Sequence, residues 1–370
     1  MTSIAPPSPS FATARASASR GDRDIALWLF GCAAMIFLMV VIGGITRLTE
    51  SGLSITEWHP ISGVIPPLSD GDWAREFEHY KAIPQYQAIH WDMTLAEFKT
   101  IFFWEYLHRL WGRLIGVAFA LPLLWFLCSR RLSWALAPKL AALLVLGGLQ
   151  GALGWYMVES GLAERIEVSQ YRLVAHLAAA VALYLAILWV ALDLWSPLTL
   201  PALRAGSAPT ALRRALTALL ALALLTLVAG GFVAGLRAGS IYNTFPLMGG
   251  ALVPSDYASV SPWYLNPFES LAAAQFDHRV LAELSWLSAI GLWLWSLRLD
   301  LAREVRASVS VHAAVATLQL GLGIATLLLV VPVPLAVAHQ AGALLLVTAI
   351  LVARHAARRP KMDGAARAAL

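Results

Sequence analysis

Four histidines, His108, His176, His278 and His339, and one acid, Glu105, stand inside stretches that are otherwise apolar. Neutral imidazole is the commonest metal ligand among side chains, and paired histidines from facing helices of a bundle hold a heme iron from both sides. In chain order the pairs are His108 with His176 and His278 with His339, each enclosing one heme-sized pocket. Glu105 lies three residues before His108 and so on the same helical face. A carboxyl there can give or take a proton, or offset developing positive charge. The equivalent residue before His278 is Gln275, so one site carries an acid and the other an amide. Arg109, Arg113 and Arg279 are candidates for anchoring heme propionates, because a guanidinium binds carboxylates bidentately. The competing readings are structural: each histidine bonded to a neighbouring helix, and Glu105 ion-paired with Arg109 or Arg113. Five further histidines receive no chemistry. His59, His79 and His90 fall in a long loop, while His312 and His355 sit near the ends of spans, where a polar ring reaches water.

The elements that position these residues follow from composition. With 59% hydrophobic and 13% charged residues and a mean hydropathy of +0.68, the chain lies outside the range of soluble domains. A span needs about 20 apolar residues, and eight windows qualify, near 25–45, 101–127, 138–157, 171–194, 213–235, 274–297, 309–331 and 335–354. A bilayer admits helices there and not isolated strands, so the expected fold is an all-α integral membrane protein with eight transmembrane helices.

The net charge of +5 raises nucleic acid as a partner, and the distribution of the basic residues excludes it. Of the 27 Lys and Arg, 17 fall before the first span, in the alternate connections and after the last span. The positive-inside rule puts those segments, and both termini, in the cytoplasm. Residues 1–24, rich in Ser, Ala and Pro, read as a disordered cytoplasmic tail; a cleaved signal is the rival, opposed by the length of the apolar run that follows. Cys32 and Cys128 lie in or at the edge of different spans, so no disulfide is expected in the outer loops.

An internal repeat organises the whole. GGITRLTESGLS at 43–54 resembles GGFVAGLRAGSI at 230–241, His108-Arg109 matches His278-Arg279, LQGALG at 149–154 matches LQLGLG at 318–323, and VAH ends at both His176 and His339. The offsets are 187, 170, 169 and 163 residues, so the order is kept and only loop lengths change. Four spans per copy give both copies the same orientation, a parallel repeat unlike the inverted repeats of transporters. The expected organisation is a four-helix unit over 25–195 with a long outer loop at 46–100, a cytoplasmic linker at 196–212, a second unit over 213–355 and a cytoplasmic tail at 356–370. Gly112, Gly116, Gly147, Gly148, Gly151 and Gly154 permit close helix approach, or a flat macrocycle between helices.

GGITRLTESGLSITEWHPISGVIPP and HWDMTLAEFKTIFFWEYLHRLWGRLIG closely resemble the heme A synthase family in the form of mitochondria and their bacterial relatives. GGLQGALGWYMVESGL, YRLVAHL, YNTFPLMGG, FDHR and VAHQ extend the likeness over nearly all of 25–355. The cysteine pair that other bacterial forms carry in the outer loop is missing here, so no thiol role carries over. The resemblance implies an oxidoreductase of the inner membrane that converts the C8 methyl of heme O to a formyl group, giving heme A for cytochrome oxidase. It further implies that His278 and His339 ligate a resident heme b, that His108 and His176 flank heme O, and that Glu105 lies near the chemistry. Heme O synthase, the farnesyltransferase that makes heme O, is the partner that pathway logic suggests; the electron donor is unidentified and a homo-oligomer stays open. The alternative from another class is a quinol-linked di-heme electron carrier that modifies neither heme.

Overall fold

The computed structural model describes residues 11–59, 62–162, 166–195 and 208–358, so most of the linker and of the C-terminal tail lies outside the described residues. Among the described residues every regular element is helical, with one isolated bridge between Met248 and Ala251. In chain order they are α1 (Phe11–Leu48), α2 (Asp70–Lys81), α3 (Pro84–Ile89), α4 (Leu95–Cys128), α5 (Ala137–Leu162) and α6 (Gln170–Trp195). The second half holds α7 (Thr210–Gly235), the single turn α8 (Asn266–Glu269), α9 (Leu271–Ser296), α10 (Arg303–Leu328) and α11 (Val333–Ala356). Among the described residues, α1, α4, α5, α6, α7, α10 and α11 are long and apolar enough to cross a membrane. The eighth long helix, α9, forms over 26 residues but is not in that set; Asp277, His278, Arg279, Glu283 and its serines and tryptophans dilute its apolar run.

Local chemistry explains where the helices start. Thr94 caps α4 in a reciprocal box: its hydroxyl accepts from the Glu97 amide, and the Glu97 carboxylate accepts from the Thr94 amide at 2.8 Å. α4 therefore starts at Leu95, ahead of the apolar window expected from 101, because the cap supplies partners that burial does not. Ser270 caps α9 by one bond, its hydroxyl accepting from the Ala273 amide. At the other end of the chain, α1 begins at Phe11, inside the stretch expected to be a tail. The turn between α10 and α11 is closed by Val330 and Val331, both at positive φ (61° and 57°), a costly conformation for β-branched residues that only the surrounding packing can hold.

Packing sets α1, α6, α7 and α11 at the centre, with α4 and α5 against α1 and α6, and α9 and α10 against α7 and α11. The main apolar core, including Leu29, Ile36, Leu123, Leu140, Ile187, Leu216, Val309 and Ile350, fills the end of the bundle that carries the tails. A second cluster around Leu53, Phe77, Tyr80, Phe98 and Phe102 seats α2 on α4, so the long loop is an ordered cap at the opposite end. The histidine pairs lie between these two apolar blocks.

Two histidines differ from expectation. His312 does not reach water: it is 1% exposed, and neither ring nitrogen has a partner. Its place nine residues inside α10 puts it about 14 Å from the helix start at 1.5 Å per residue, too deep for the solvent contact expected of it. His355 is buried as well and bonds to Asp193 at 3.1 Å.

Candidate functional site

Each of the four histidines lies against a glycine of the preceding long helix. A Cβ on Gly154 would come within 2.8 Å of His176, one on Gly230 within 2.8 Å of His278 and one on Gly323 within 2.9 Å of His339. A Cβ on Gly43 would meet His108 at 3.3 Å. The glycines are therefore what lets the edge of an imidazole sit against the neighbouring backbone. Next to Gly43, Gly44 packs on Gln340, the neighbour of His339, and next to Gly230, Gly231 packs on Val174, two residues before His176. The two diglycine steps thus bring α1 against α4 and α11, and α7 against α9 and α6, beside the four rings.

Of the six glycines singled out by spacing, only Gly154 touches a histidine. Gly116, Gly148 and Gly151 have nothing within 4 Å of a built Cβ, and Gly112 and Gly147 meet only Met39 and Leu183. Replacing Gly154 or Gly323 with Ala is expected to destabilise the protein by about 1–3 kcal/mol through overpacking, whereas Gly148→Ala should be neutral or slightly stabilising. Thermal unfolding of the three purified variants checks this, and equal midpoints would contradict the contact.

The ring environments are specific. His278 Nδ1 lies 3.0 Å from the Thr226 carbonyl; a carbonyl only accepts, so Nδ1 carries the proton and Nε2 keeps a free lone pair. His176 and His339 instead face glutamines. Gln150 places its amide nitrogen 3.0 Å from His176 Nδ1 and 2.8 Å from the His176 carbonyl. Gln319 does the same to His339, at 3.1 and 2.9 Å. The His278 and His339 rings stand 6.3 Å apart, centroid to centroid, at 83°. A metal between two imidazoles separates their centroids by two metal–nitrogen bonds of about 2 Å plus half a ring on each side, roughly 6 Å. The His278–His339 spacing fits that arrangement. Among the described residues no three His, Cys, Asp or Glu side chains group so as to hold a metal ion, and two imidazoles alone suit an iron whose other ligands come from a macrocycle.

Glu105 is 3% exposed and accepts four hydrogen bonds. Its Oε2 takes Ser54 Oγ at 2.7 Å and the Ile55 amide at 2.8 Å, and its Oε1 takes Arg109 Nη2 at 2.6 Å and Nε at 3.1 Å. The ion pair with Arg109 is formed. Arg109 also donates to the carbonyls of Ile55 and Glu57, and its guanidinium lies over Trp58. In the other half, Arg279 donates to Gln275 and to the carbonyls of Tyr242 and Thr244, while Gln275 donates to the Ala238 carbonyl at 2.8 Å. This explains the acid against the amide: the first loop presents donors to position 105, and the second presents an acceptor to position 275. Arg113 donates to the His59 carbonyl. All three arginines thus fasten a loop to a helix.

Sequence reasoning missed Gln150, Gln319, Gly43, Gly230 and Gly323. The signal was available, because all five lie in the repeated GG and LQ motifs. It also missed an ion network at the cap end, in which Arg47 meets Glu167 at 3.0 Å, Arg237 meets Glu167 and Glu50 at 2.7 Å, and Glu50 meets His90 at 3.1 Å. Glu50 and Arg237, 187 residues apart like the diglycines, both adopt left-handed φ just beyond α1 and α7, and their pairing ties the two halves together.

A family model described as a cytochrome oxidase assembly protein, COX15-CtaA, matches residues 26–351. Heme A synthase of Nitrosospira multiformis is 50% identical over 341 residues, covering 91% of this chain and 94% of the relative. The Rhodospirillum centenum protein of that name is 50% identical over 339 residues, 92% of this chain and 90% of its own length. A third, from Parvibaculum lavamentivorans, is 51% identical over 274 residues, 74% of this chain and 78% of the relative.

Proposed function

The chain belongs to the COX15-CtaA cytochrome oxidase assembly family, and on that premise we infer that it is a heme A synthase, an oxidoreductase acting on the methyl group of heme O. The support is identity of about half the residues along almost the whole chain to proteins of that name. The reaction takes the C8 methyl to a formyl group. Two successive hydroxylations give a geminal diol, and loss of one water leaves the aldehyde of heme A.

The reading assigns His278 and His339 to a resident heme b and His108 and His176 to heme O. The 6.3 Å spacing of the first pair supports it, as do Gly230 and Gly323, whose missing side chains leave the rings their place. When bound, heme b supplies a one-electron carrier. The remaining work falls to the protein. Glu105, one turn before His108, presents an acceptor-only group, suited to taking a proton or offsetting positive charge at the methyl carbon. Arg109 holds that carboxylate in one orientation. Arg109, Arg113 and Arg279, placed where the loops meet the helices, are the candidates for propionate contacts.

The finer architecture belongs to the same reading. We take α9 as the eighth span, which makes two parallel four-helix units related by an axis along the membrane normal. The paired contacts support this: Gln150 with His176 and Gln319 with His339, and the diglycines of α1 and α7. Both termini then lie in the cytoplasm of a bacterial inner membrane, with the cap outside and lipid around the bundle. Reporter fusions after Leu200 and after Leu301 should both read as cytoplasmic, and a periplasmic signal at either breaks the topology. Heme O synthase as the source of substrate, a separate electron donor and self-association complete the proposal. Pigment extraction tests the function. Heme O and heme A in the purified protein are the expected result; unmodified heme b alone would favour a di-heme electron carrier.

A further inference from the structure

The two rings of the second pair are held by different chemistry. His278 leans on a backbone carbonyl, which cannot donate, so its iron-binding nitrogen is always open. His339 and His176 lean on side-chain amides that offer either a donor or an acceptor. In the present arrangement Gln319 and Gln150 turn their nitrogen to Nδ1. A ring that accepts at Nδ1 carries its proton on Nε2, and a protonated Nε2 cannot bind iron. Both glutamine oxygens, meanwhile, are buried with no partner, at a cost of about 1–3 kcal/mol each. Rotating the amide turns Oε1 toward Nδ1–H, so the proton leaves Nε2, but it also sets Oε1 against the histidine carbonyl oxygen and leaves the amide nitrogen in the unpartnered place, so the open form is the one that an iron–nitrogen bond must hold. Gly342 makes this tight fit possible, since a Cβ there would lie 2.1 Å from Gln319 Oε1.

We propose that Gln150 and Gln319 are positioning residues that select the tautomer of His176 and His339, switching Nε2 between a protonated, closed form and an open, iron-binding form. This rests on the heme assignment above. It makes one ligand of each pair releasable. On the substrate side that property is useful, because heme O must enter and heme A must leave in every cycle.

The test uses full-length protein purified in detergent. Gln319→Glu has no N–H to hold the closed form and accepts strongly from Nδ1–H, which raises the basicity of the ring. The expected result is retained heme b with a lower midpoint potential and altered electron paramagnetic resonance g-values. Gln319→Met offers neither donor nor acceptor, and its heme affinity should fall about 10–100-fold. Gln150→Glu should leave the heme b potential unchanged while slowing release of the substrate-side heme. Gln319 variants with wild-type heme content, potential and g-values overturn the proposal, as does heme loss from a monodisperse Gln319→Glu protein. If Gln319→Glu fails to insert, the heme release rates of Gln150→Glu and Gln150→Met decide: equal rates overturn it. His339→Ala separates the two levels. Heme b retained in that variant sinks the ligand assignment itself, whereas heme b lost there beside silent glutamine variants sinks only the tautomer switch.

Discussion

Replacing Glu105 with Ala is expected to abolish heme A formation while the proposed heme b remains bound. The carboxylate belongs to the half that carries His108 and His176, and its partners are Ser54, Ile55 and Arg109, none of which touches His278 or His339. Loss of a positioned proton acceptor typically costs about 10²–10⁴-fold in rate, enough to bring heme A below detection in extracted pigment. Glu105 also fastens a loop, so a second variant is needed to separate charge from support. Glu105→Gln keeps the size and the bond to Arg109, but it turns an NH₂ toward the Ile55 amide and Ser54, a mismatch worth about 1–3 kcal/mol. If support alone matters, Glu105→Gln should fold less stably yet still turn over; if the charge matters, it should be as inactive as Glu105→Ala. Heme A made at the normal rate by either variant removes Glu105 from the chemistry. The mirror experiment, Gln275→Glu, sets a carboxylate against the Ala238 carbonyl and should destabilise the other half without creating a second active site.

Replacing His278 or His339 with Ala is expected to empty the proposed heme b site. On the proposed assignment each provides one of two axial ligands, so the loss should exceed the 10–100-fold typical of removing an outer-shell partner. Activity should disappear with it, because no electron carrier remains. Substituting His108 or His176 should abolish heme A formation and leave heme b near its normal content. Heme content by pyridine hemochrome spectroscopy distinguishes the four. An unaltered spectrum in His278→Ala would reject the pairing.

Much of this was legible from residue order. The apolar runs announce long helices, and those runs, not the loops, set α4, α6, α7 and α11. The acid at 105 against the amide at 275 was also visible, as was the repeat that pairs the four histidines. What it means that Glu105 is an acid was not visible, because the reason lies in residues 50 positions away: Ser54 and Ile55 present donors where Ala238 presents an acceptor. The glycine prediction fared worse. Spacing along a helix identifies small residues that share a face, but which one meets a ring depends on the axial register of two helices. That register selects Gly154 and passes over Gly148 and Gly151. His312 failed for a related reason, since closeness to a helix end in sequence says nothing about what the neighbouring helices cover.

By itself the chain's order determined a helical membrane protein with two like halves, two imidazoles in each and a single acid beside one pair. These are properties of composition and period, which each helix carries on its own surface. Only the tertiary structure decided that each ring lies against a glycine, that glutamine amides meet two of the rings and a backbone carbonyl a third, and that Glu105 is tied to Arg109. Each of those is a contact between helices or between helix and loop, and a directional hydrogen bond of about 3 Å exists only once packing has set their rotation and height.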